Sequence, residues 1–544
     1  MDTEQSVTEA PQEKPLQNVD TVTTVDPPEA ALLHGRALIL VTFALLASVF
    51  MVALDNAIIS TAIPRITSEF NSLDDVGWYG SAYLLTQMSL QPTFGKIYTL
   101  FDIKRVFLTA LLIFEVGSVV CAAAPNSNLF ITGRAVAGLG AAGIFCGGLT
   151  ILGLAVVEKK RPLFMGFIGG IYGISSVLGP TLGGLFTDTP KLTWRFCFWI
   201  NLPFGGIAVA IIIFLYKPAS AGLDPSMKIW QKVLKLGIWS ATILTGTITC
   251  LLLGVSWGGT KYPWADSRVW GCLLGAGLLL AVFVLIQFRN GDESLIPTRV
   301  ISQRSIAISC VFTCLLQIAM MAQAYYLPFF FQAAQGTTAK VSGVQILPSG
   351  ITIAIATLFG GTLITIMGYY VPFMWAGAAI FTVGCYLLHT LVRSSTIKAW
   401  FGYQVIVGIG YGFAVQIPYL AVQVVIVSLD RPLANALVSL FQALGGALGL
   451  SIAENVFQTS LIERLDKIQN INVTSIIASG GTGLETIVSP SQLGPVRNAF
   501  SGAVANAFLV SVGAAGAAFV TSLAMEWRRI GAKKDTPEMT DNSA

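Results

Sequence analysis

Charge is scarce in this 544-residue chain, where Asp, Glu, Lys and Arg make up 11% of residues. A soluble globular domain carries about 25%. With 54% hydrophobic residues, the composition excludes a water-soluble fold and indicates an all-α polytopic membrane protein. Histidine is nearly absent: only His34 and His389 occur. That leaves almost no material for a histidine-based metal site or a Ser-His-Asp triad, and no metal is expected. The sequence has no HExxH and no nucleophile elbow, which speaks against a membrane enzyme. It has no GxxxxGK[ST] loop to bind ATP. The eight cysteines fall mostly in apolar runs without a CxxC pair. Cys310 and Cys314, one helical turn apart, read as small buried hydrophobes rather than part of a disulfide framework.

What the chain does have is long apolar runs. Residues 1–36 are acidic and rich in Pro and Thr, lack a signal-peptide core, and read as a disordered cytoplasmic tail. Fourteen spans follow, near 38–63, 77–98, 106–124, 128–151, 164–186, 196–216, 233–255, 269–288, 305–331, 342–367, 371–391, 400–421, 433–456 and 503–525. The clusters Lys104-Arg105, Lys159-Lys160-Arg161, Lys228/Lys232/Lys235 and Arg528-Arg529 all fall on the side of the N-terminus. By the positive-inside bias both termini are expected in the cytoplasm. The connection 457–502 then lies outside, and it holds an N-glycosylation sequon at Asn472.

An internal repeat is visible. Arg134-Ala-Val-Ala-Gly138-Leu-Gly140 is echoed 270 positions later by Gln404-Val-Ile-Val-Gly408-Ile-Gly410. Gly95-x-Ile97-x-Thr99 returns as Gly361-x-Leu363-x-Thr365, and Leu178-Gly179 as Leu444-Gly445, each 266 positions on. This predicts two six-helix bundles, 37–216 and 305–526, related by a parallel repeat. Linkers and two extra helices occupy 217–304, and a cytoplasmic tail closes the chain at 527–544.

The most unusual helix in the series is the fifth. Its stretch Gly169-Gly-Ile-Tyr-Gly173-Ile-Ser-Ser-Val-Leu-Gly179-Pro180-Thr-Leu-Gly183-Gly184 is too glycine-rich to be chosen for helix propensity. In a membrane such residues let backbones approach closely, either as a static packing face or as a hinge.

Four local patterns now point one way. They are Leu54-Asp55-Asn-Ala-Ile-Ile-Ser-Thr-Ala-Ile63-Pro64 in span 1, Gly95-Lys-Ile-Tyr-Thr-Leu-Phe-Asp102-Ile-Lys104-Arg105 after span 2, Gly133-Arg134-Ala-Val-Ala-Gly138-Leu-Gly140 in span 4, and the glycine-rich span 5. Together they resemble the major facilitator superfamily, and within it the fourteen-span drug:proton antiporters, over about residues 38–526. The loop after span 2 departs from the family pattern, with Thr99 where an acid is usual and Asp102 in place of a glycine. Ile171-Tyr-Gly173 and Trp194-Arg195-Phe-Cys-Phe-Trp-Ile-Asn-Leu-Pro203 are similar to fungal toxin-efflux members. The resemblance implies export of a secondary metabolite or xenobiotic across the plasma membrane. The proton gradient supplies the energy, with no cofactor and no nucleic-acid partner, and a monomer is expected. A vacuolar or uptake carrier for basic amino acids or siderophores on the same fold is the alternative. A transporter-like receptor would bring a longer tail.

Ionisable groups inside spans cost several kcal/mol and are candidates for function. Asp55 lies roughly 25 Å along span 1 at 1.5 Å per residue. Arg134 sits at a similar depth in span 4, so the two form either a structural ion pair or a proton-coupling pair in which the guanidinium favours the charged carboxylate. Glu115, near the middle of span 3, is either a proton carrier or a neutral acid holding helices together. Glu454, near the outer end of span 13, reads as a solvated interfacial acid. For the substrate, an apolar cavity with aromatic and amide groups suits a bulky, largely neutral molecule. Candidates are Tyr83 and Gln87 in span 2, Tyr172 in span 5, and Gln317, Gln323, Tyr325, Tyr326 and Phe329 in span 9. The span 9 residues crowd onto every face of their helix, so only a subset can line a cavity.

Overall fold

The computed structural model describes residues 32–530 except 71, 73–74, 190–191, 217–227, 260–261, 470 and 479–483. Most of the expected N-terminal tail and residues 531–544 of the C-terminal tail lie outside the described residues. Fourteen helices of bilayer length organise the rest: α1 Gly35–Phe70, α2 Val76–Leu100, α3 Ile103–Ala123, α4 Ser127–Ala155, α5 Arg161–Asp188, α6 Asn201–Leu215, α7 Ile238–Trp257, α8 Ser267–Asn290, α9 Arg304–Phe329, α10 Ala339–Met367, α11 Val371–His389, α12 Ile397–Ala414, α13 Arg431–Leu465 and α14 Pro490–Ser522. A short turn, Phe196–Trp199, extends α6, and Ile417–Val425 continues α12 beyond a break.

Helix starts follow local chemistry. Asp102 accepts from the Arg105 amide at the start of α3, and Asn126 from the Leu129 amide at the start of α4. Each satisfies an amide that the first turn leaves unpaired. Inside the spans, Ser and Thr hydroxyls donate to the carbonyl one turn back, as Ser48 does to Ala44 and Thr357 to Ile353. This lets a polar side chain sit in an apolar environment. Gly368, at φ +76°, closes α10 in the left-handed conformation.

Among the described residues, thirteen stretches are long and apolar enough to cross a membrane, and α2 is the fourteenth span. Its Tyr83, Ser89, Gln91 and Lys96 are all buried. A helix wrapped by other helices does not need the apolar surface that lipid demands, so hydropathy understates it.

Helices α1–α6 pack as one bundle and α9–α14 as a second, with α7 and α8 paired at the side and α7 resting on α2. The glycines of the sequence repeat mark matching crossings in the two bundles. In the first, a Cβ at Gly138 would run into the Tyr83 backbone and Thr86 of α2, and one at Gly140 into the Phe114 backbone of α3. In the second, Gly408 meets Ser349 and Thr352 of α10, and Gly410 the Phe381 backbone of α11. Gly179 packs on Ala57 of α1 as Gly445 packs on Cys314 of α9. These are the close approaches that small residues permit in bilayers. Gly140→Val and Gly410→Val are therefore each expected to lower the thermal unfolding midpoint and the monodisperse yield. Overpacking against backbone costs about 1–3 kcal/mol or more.

The bundles meet along two seams, α5 on α10 and α2 on α13. These too are related by the repeat: Gly95 abuts Pro432 and Ala436, and Gly361 abuts Pro162 and Gly166. The sequence pair behind this is Arg161-Pro162-Leu163 and Arg431-Pro432-Leu433. Arg161 Nε donates to the Val156 carbonyl and Arg431 Nε to the Ile426 carbonyl, each tying off the end of the preceding helix. Arg161 Nη1 also reaches across to the Gln423 carbonyl at 3.1 Å, and Gln423 Nε2 returns to the Leu149 carbonyl at 3.4 Å. All of these contacts lie on the face where the described chain begins and ends, here called the terminal face. From there the α5–α10 seam extends inward through Gly173 on Ala354 to Gly350 on Val177, about midway along α5.

Candidate functional site

Asp55 and Arg134 are both fully buried, and Arg134 Nη1 donates to Asp55 Oδ2 at 2.6 Å. The pair is built from three further elements. Arg134 Nε donates to the Tyr79 carbonyl of α2 at 2.9 Å, and the guanidinium lies 4.4 Å from the Tyr83 ring centroid. From α6, Asn201 Nδ2 donates to Asp55 Oδ1 at 3.3 Å and to Ser118 of α3 at 3.1 Å. A carboxylate and a guanidinium taken fully out of water need this many partners to persist. Asn201 lies near the end of the sequence run Trp194–Pro203, and pattern reading left it without a role.

The same run covers the pair on the far face. Trp194 and Phe198 pack edge-on against Phe130, with ring centroids 5.6 and 5.4 Å away, and Phe130 in turn meets Tyr79 at 5.1 Å. Trp194 Nε1 donates to Glu69 Oε2 at 2.6 Å and Arg195 Nη1 to Glu69 Oε1 at 2.7 Å. Partial burial pushes the Glu69 carboxyl up. The hydrogen bonds from Trp194 and Arg195, with the charges of Arg195 and Arg65, outweigh that and hold it below its ordinary range. A depressed carboxyl contributes stability above its unfolded value and loses it as pH falls through the folded one. The lid should therefore stay clamped at neutral pH and loosen only under acid conditions. Glu69→Gln is expected to loosen it at neutral pH. In a variant keeping Cys197, buried within the lid, as its only cysteine, maleimide labelling should then rise.

Glu115 sits one turn from Ser118 on α3. Its carboxyl packs on Gly205 of α6, and both its oxygens are buried without a hydrogen-bond partner.

The expected substrate residues separate into two groups. Tyr83 is held beneath Arg134, Gln323 is buried against Cys385, and Tyr326 is buried against Phe457. Each is interior to its own bundle, Tyr83 to the first and Gln323 and Tyr326 to the second, and Phe329 is half-buried beside Tyr326. Gln87 is half-buried, whereas Tyr325 is 53% exposed. Tyr172 is 36% exposed.

Around Tyr172 a floor forms from both bundles. Phe145 of α4 stacks edge-on to Tyr172 at 6.0 Å and to Tyr419 at 5.7 Å. Tyr411 donates to Gln317 of α9 at 2.8 Å, and Tyr419 donates to Gln442 of α13. The break in α12 before Pro418 sets Gln416 against Gly169 of α5. Phe145, Tyr411, Tyr419 and Gln442 were not anticipated from the sequence. The weak signal for two of them was the spacing of Tyr411 and Tyr419, eight residues apart, which an unbroken helix would put on nearly one face.

The glycine motif of α5 divides in a similar way. Gly179 and Gly183 pack on α1 and Gly173 on α10, while Gly184 meets nothing within 4 Å and Pro180 is exposed. In the motif that joins α2 to α3, Lys96 Nζ donates to the Glu293 and Ser294 carbonyls, and Lys104 Nζ to those of Ile213 and Tyr216. Thr99, in the usual place of an acid, donates to the Lys96 carbonyl, Asp102 caps α3, and Arg105 supplies the capped amide. Asn472 is exposed and accepts from the Ser475 amide, and Glu454 is half-buried and accepts from Gln458.

Comparison with known proteins agrees with this architecture. The profile of the Major Facilitator Superfamily matches residues 45–450. The MFS-type transporter ltbE of Aspergillus luteorubrus is 42% identical over 508 residues, covering 93% of each chain. The MFS-type efflux pump MFS1 of Trichophyton rubrum is 39% identical over 92% of this chain and 94% of its own. The aspyridones efflux protein of Neocamarosporium betae is 42% identical over 92% and 89%. Among solved structures, the human organic anion transporter MFSD10 matches with TM-score 0.59 at 13% identity, covering 90% of this chain and 100% of that one. A double-tryptophan mutant of XylE matches with TM-score 0.59 at 11% identity, over 90% and 96%. At those identities the structures speak for the fold alone. The chain belongs to the major facilitator superfamily and is a multi-pass membrane transporter with fourteen spans, not an enzyme.

Proposed function

We propose that this protein is a proton-coupled exporter of a bulky, largely neutral small molecule, a fungal secondary metabolite or xenobiotic. The observation that carries this reading is the floor around Tyr172, assembled from α4, α5, α9, α12 and α13, so that a ligand resting on it touches both bundles at once. A molecule bound at such a place can bias the tilt of one bundle against the other. Rings and amides without a carboxylate or cation suit an uncharged ligand. The relatives named as efflux pumps support the direction of flux.

In this reading the terminal face is cytoplasmic and the membrane is the plasma membrane, so the structure is closed inward. The protein works as a monomer. Asp55 is the proton carrier, Arg134 and Asn201 hold its empty form, and Glu115 is a second carboxyl along the same path. Gly173, on the α5–α10 seam, and Gly179 and Gly183, on the α1–α5 crossing, permit the tilt. Asn472 lies outside and carries a glycan; endoglycosidase should therefore shift the wild type but not Asn472→Gln on a gel.

The deciding experiment is deletion of the gene followed by metabolite profiling of cells and medium, then efflux of the retained compound from re-expressing cells. Efflux should stop when a protonophore collapses the gradient and continue when ATP is depleted with the gradient held. Efflux indifferent to the gradient, or compound lost from the medium into wild-type cells, would overturn the proposal.

A further inference from the structure

An opening lies well away from the seam between the bundles. It is a cavity of about 770 Å³ on the far face of the second bundle, between the end of α11 and the N-terminal half of α14. Its lining includes His389, Arg393, Asn498, Ser501 and Gly502 and contains no carboxylate. Beside it, the guanidinium of Arg464, at the end of α13, packs on Gly502. Neither Arg393 nor Arg464 takes part in an ion pair among the described residues. The one hydrogen bond from Arg393 is a long one, 3.5 Å to the Gly494 carbonyl. His389 is fixed in place: its Nδ1 lies 2.7 Å from the Ala505 carbonyl, which can only accept, so Nδ1 carries the proton. One guanidinium with spare donors, an amide and a hydroxyl therefore line a space large enough for a polar headgroup, and a second guanidinium lies beside it at Gly502.

The surroundings identify the ligand class. His389 ends a membrane span, so the cavity lies at the depth of the membrane–water boundary. One turn inward on α11, Tyr386 is 56% exposed and tilts against His389 with ring centroids 6.3 Å apart. Val383 on α11 and Leu509 on α14 are also exposed. An apolar surface thus runs from the cavity toward the bilayer interior, as acyl chains attached to a bound headgroup require.

We infer that this cavity is a phosphate-ester site that holds the headgroup of a phospholipid, with the phosphate between Arg393 and Arg464 and the acyl chains along Val383, Tyr386 and Leu509. Guanidinium forks match phosphate oxygens in charge and geometry, and basic pockets at span ends take up lipid headgroups on the same principle. A lipid bound here would brace α11, α13 and α14 against one another on the face opposite to the inter-bundle seal.

The test uses the purified full chain in a phosphate-free detergent and follows its thermal unfolding. Short-chain phosphatidylglycerol should raise the midpoint saturably, and a neutral diacylglycerol of the same chain length should not. Arg393→Gln together with Arg464→Gln should raise the half-saturating concentration about tenfold or more, the scale of losing charge-assisted hydrogen bonds. Arg393→Gln alone should give a smaller shift in the same direction, and it serves if the double variant is not monodisperse. If inorganic phosphate reproduces the full effect, the phosphate chemistry holds and its source is a free anion. Equal stabilisation by the neutral lipid, or a response unchanged in both variants, would overturn the inference.

Discussion

Asp55→Asn is expected to reduce gradient-driven export to the background of cells lacking the protein. The substitution keeps the shape of the side chain and removes its ability to give up a proton. Asp55 is fully buried and touched by groups from α4 and α6, so a change in its charge is felt by both helices at once. At an effective dielectric of about 20, opposite charges 4 Å apart attract by about 4 kcal/mol, enough to bias a two-state tilt. The variant also leaves the Arg134 cation buried without its counter-ion, which complicates the readout. The double variant Asp55→Asn/Arg134→Gln removes both charges and should recover folding, as replacing a whole buried pair often does. It should not recover pumping. Export from pH-jumped vesicles, normalised to monodisperse protein, separates the two losses. Full export by either variant would remove Asp55 from the coupling scheme.

Arg134→Gln alone should have the larger effect on stability, about 3–5 kcal/mol, the usual result of stranding one partner of a buried pair. Besides Asp55, the guanidinium serves the Tyr79 carbonyl and the Tyr83 ring, and Phe198 lies 5.9 Å away on its other side. Its loss would loosen α1, α2, α4 and α6 together. A lower unfolding midpoint and a reduced monodisperse fraction are expected, with the neutral double variant more stable than this single one. If Arg134→Gln melts with the wild type, the pair does not hold the first bundle together.

Much of this site was legible in the sequence because membrane burial makes charge conspicuous. Asp55 and Arg134 stand out in apolar runs, and counting 1.5 Å per residue puts them at one depth. The repeated glycines were legible for a related reason: a close helix crossing tolerates almost nothing else, so Gly138/Gly408 and Gly140/Gly410 mark equivalent contacts. Asn201, Gln423 and Tyr419 were not legible. Each is an ordinary polar residue in its own helix and acquires a role only from what other helices bring to it. Span 9 shows the same limit: Tyr325 and Tyr326 are neighbours in the chain, yet one is open and the other buried against Phe457.

The sequence by itself determined that the chain lives in a bilayer, how many times it crosses, that its halves are copies, and which charges are out of place. Those properties follow from composition, period and span length, all of them local. Tertiary structure alone decided which polar groups meet, which rings are left exposed, and that the halves are sealed on the terminal face. A helix in a membrane pairs its own backbone internally and offers neighbours only a surface. The facing partner across that surface is set by long-range packing, which no window along the chain contains.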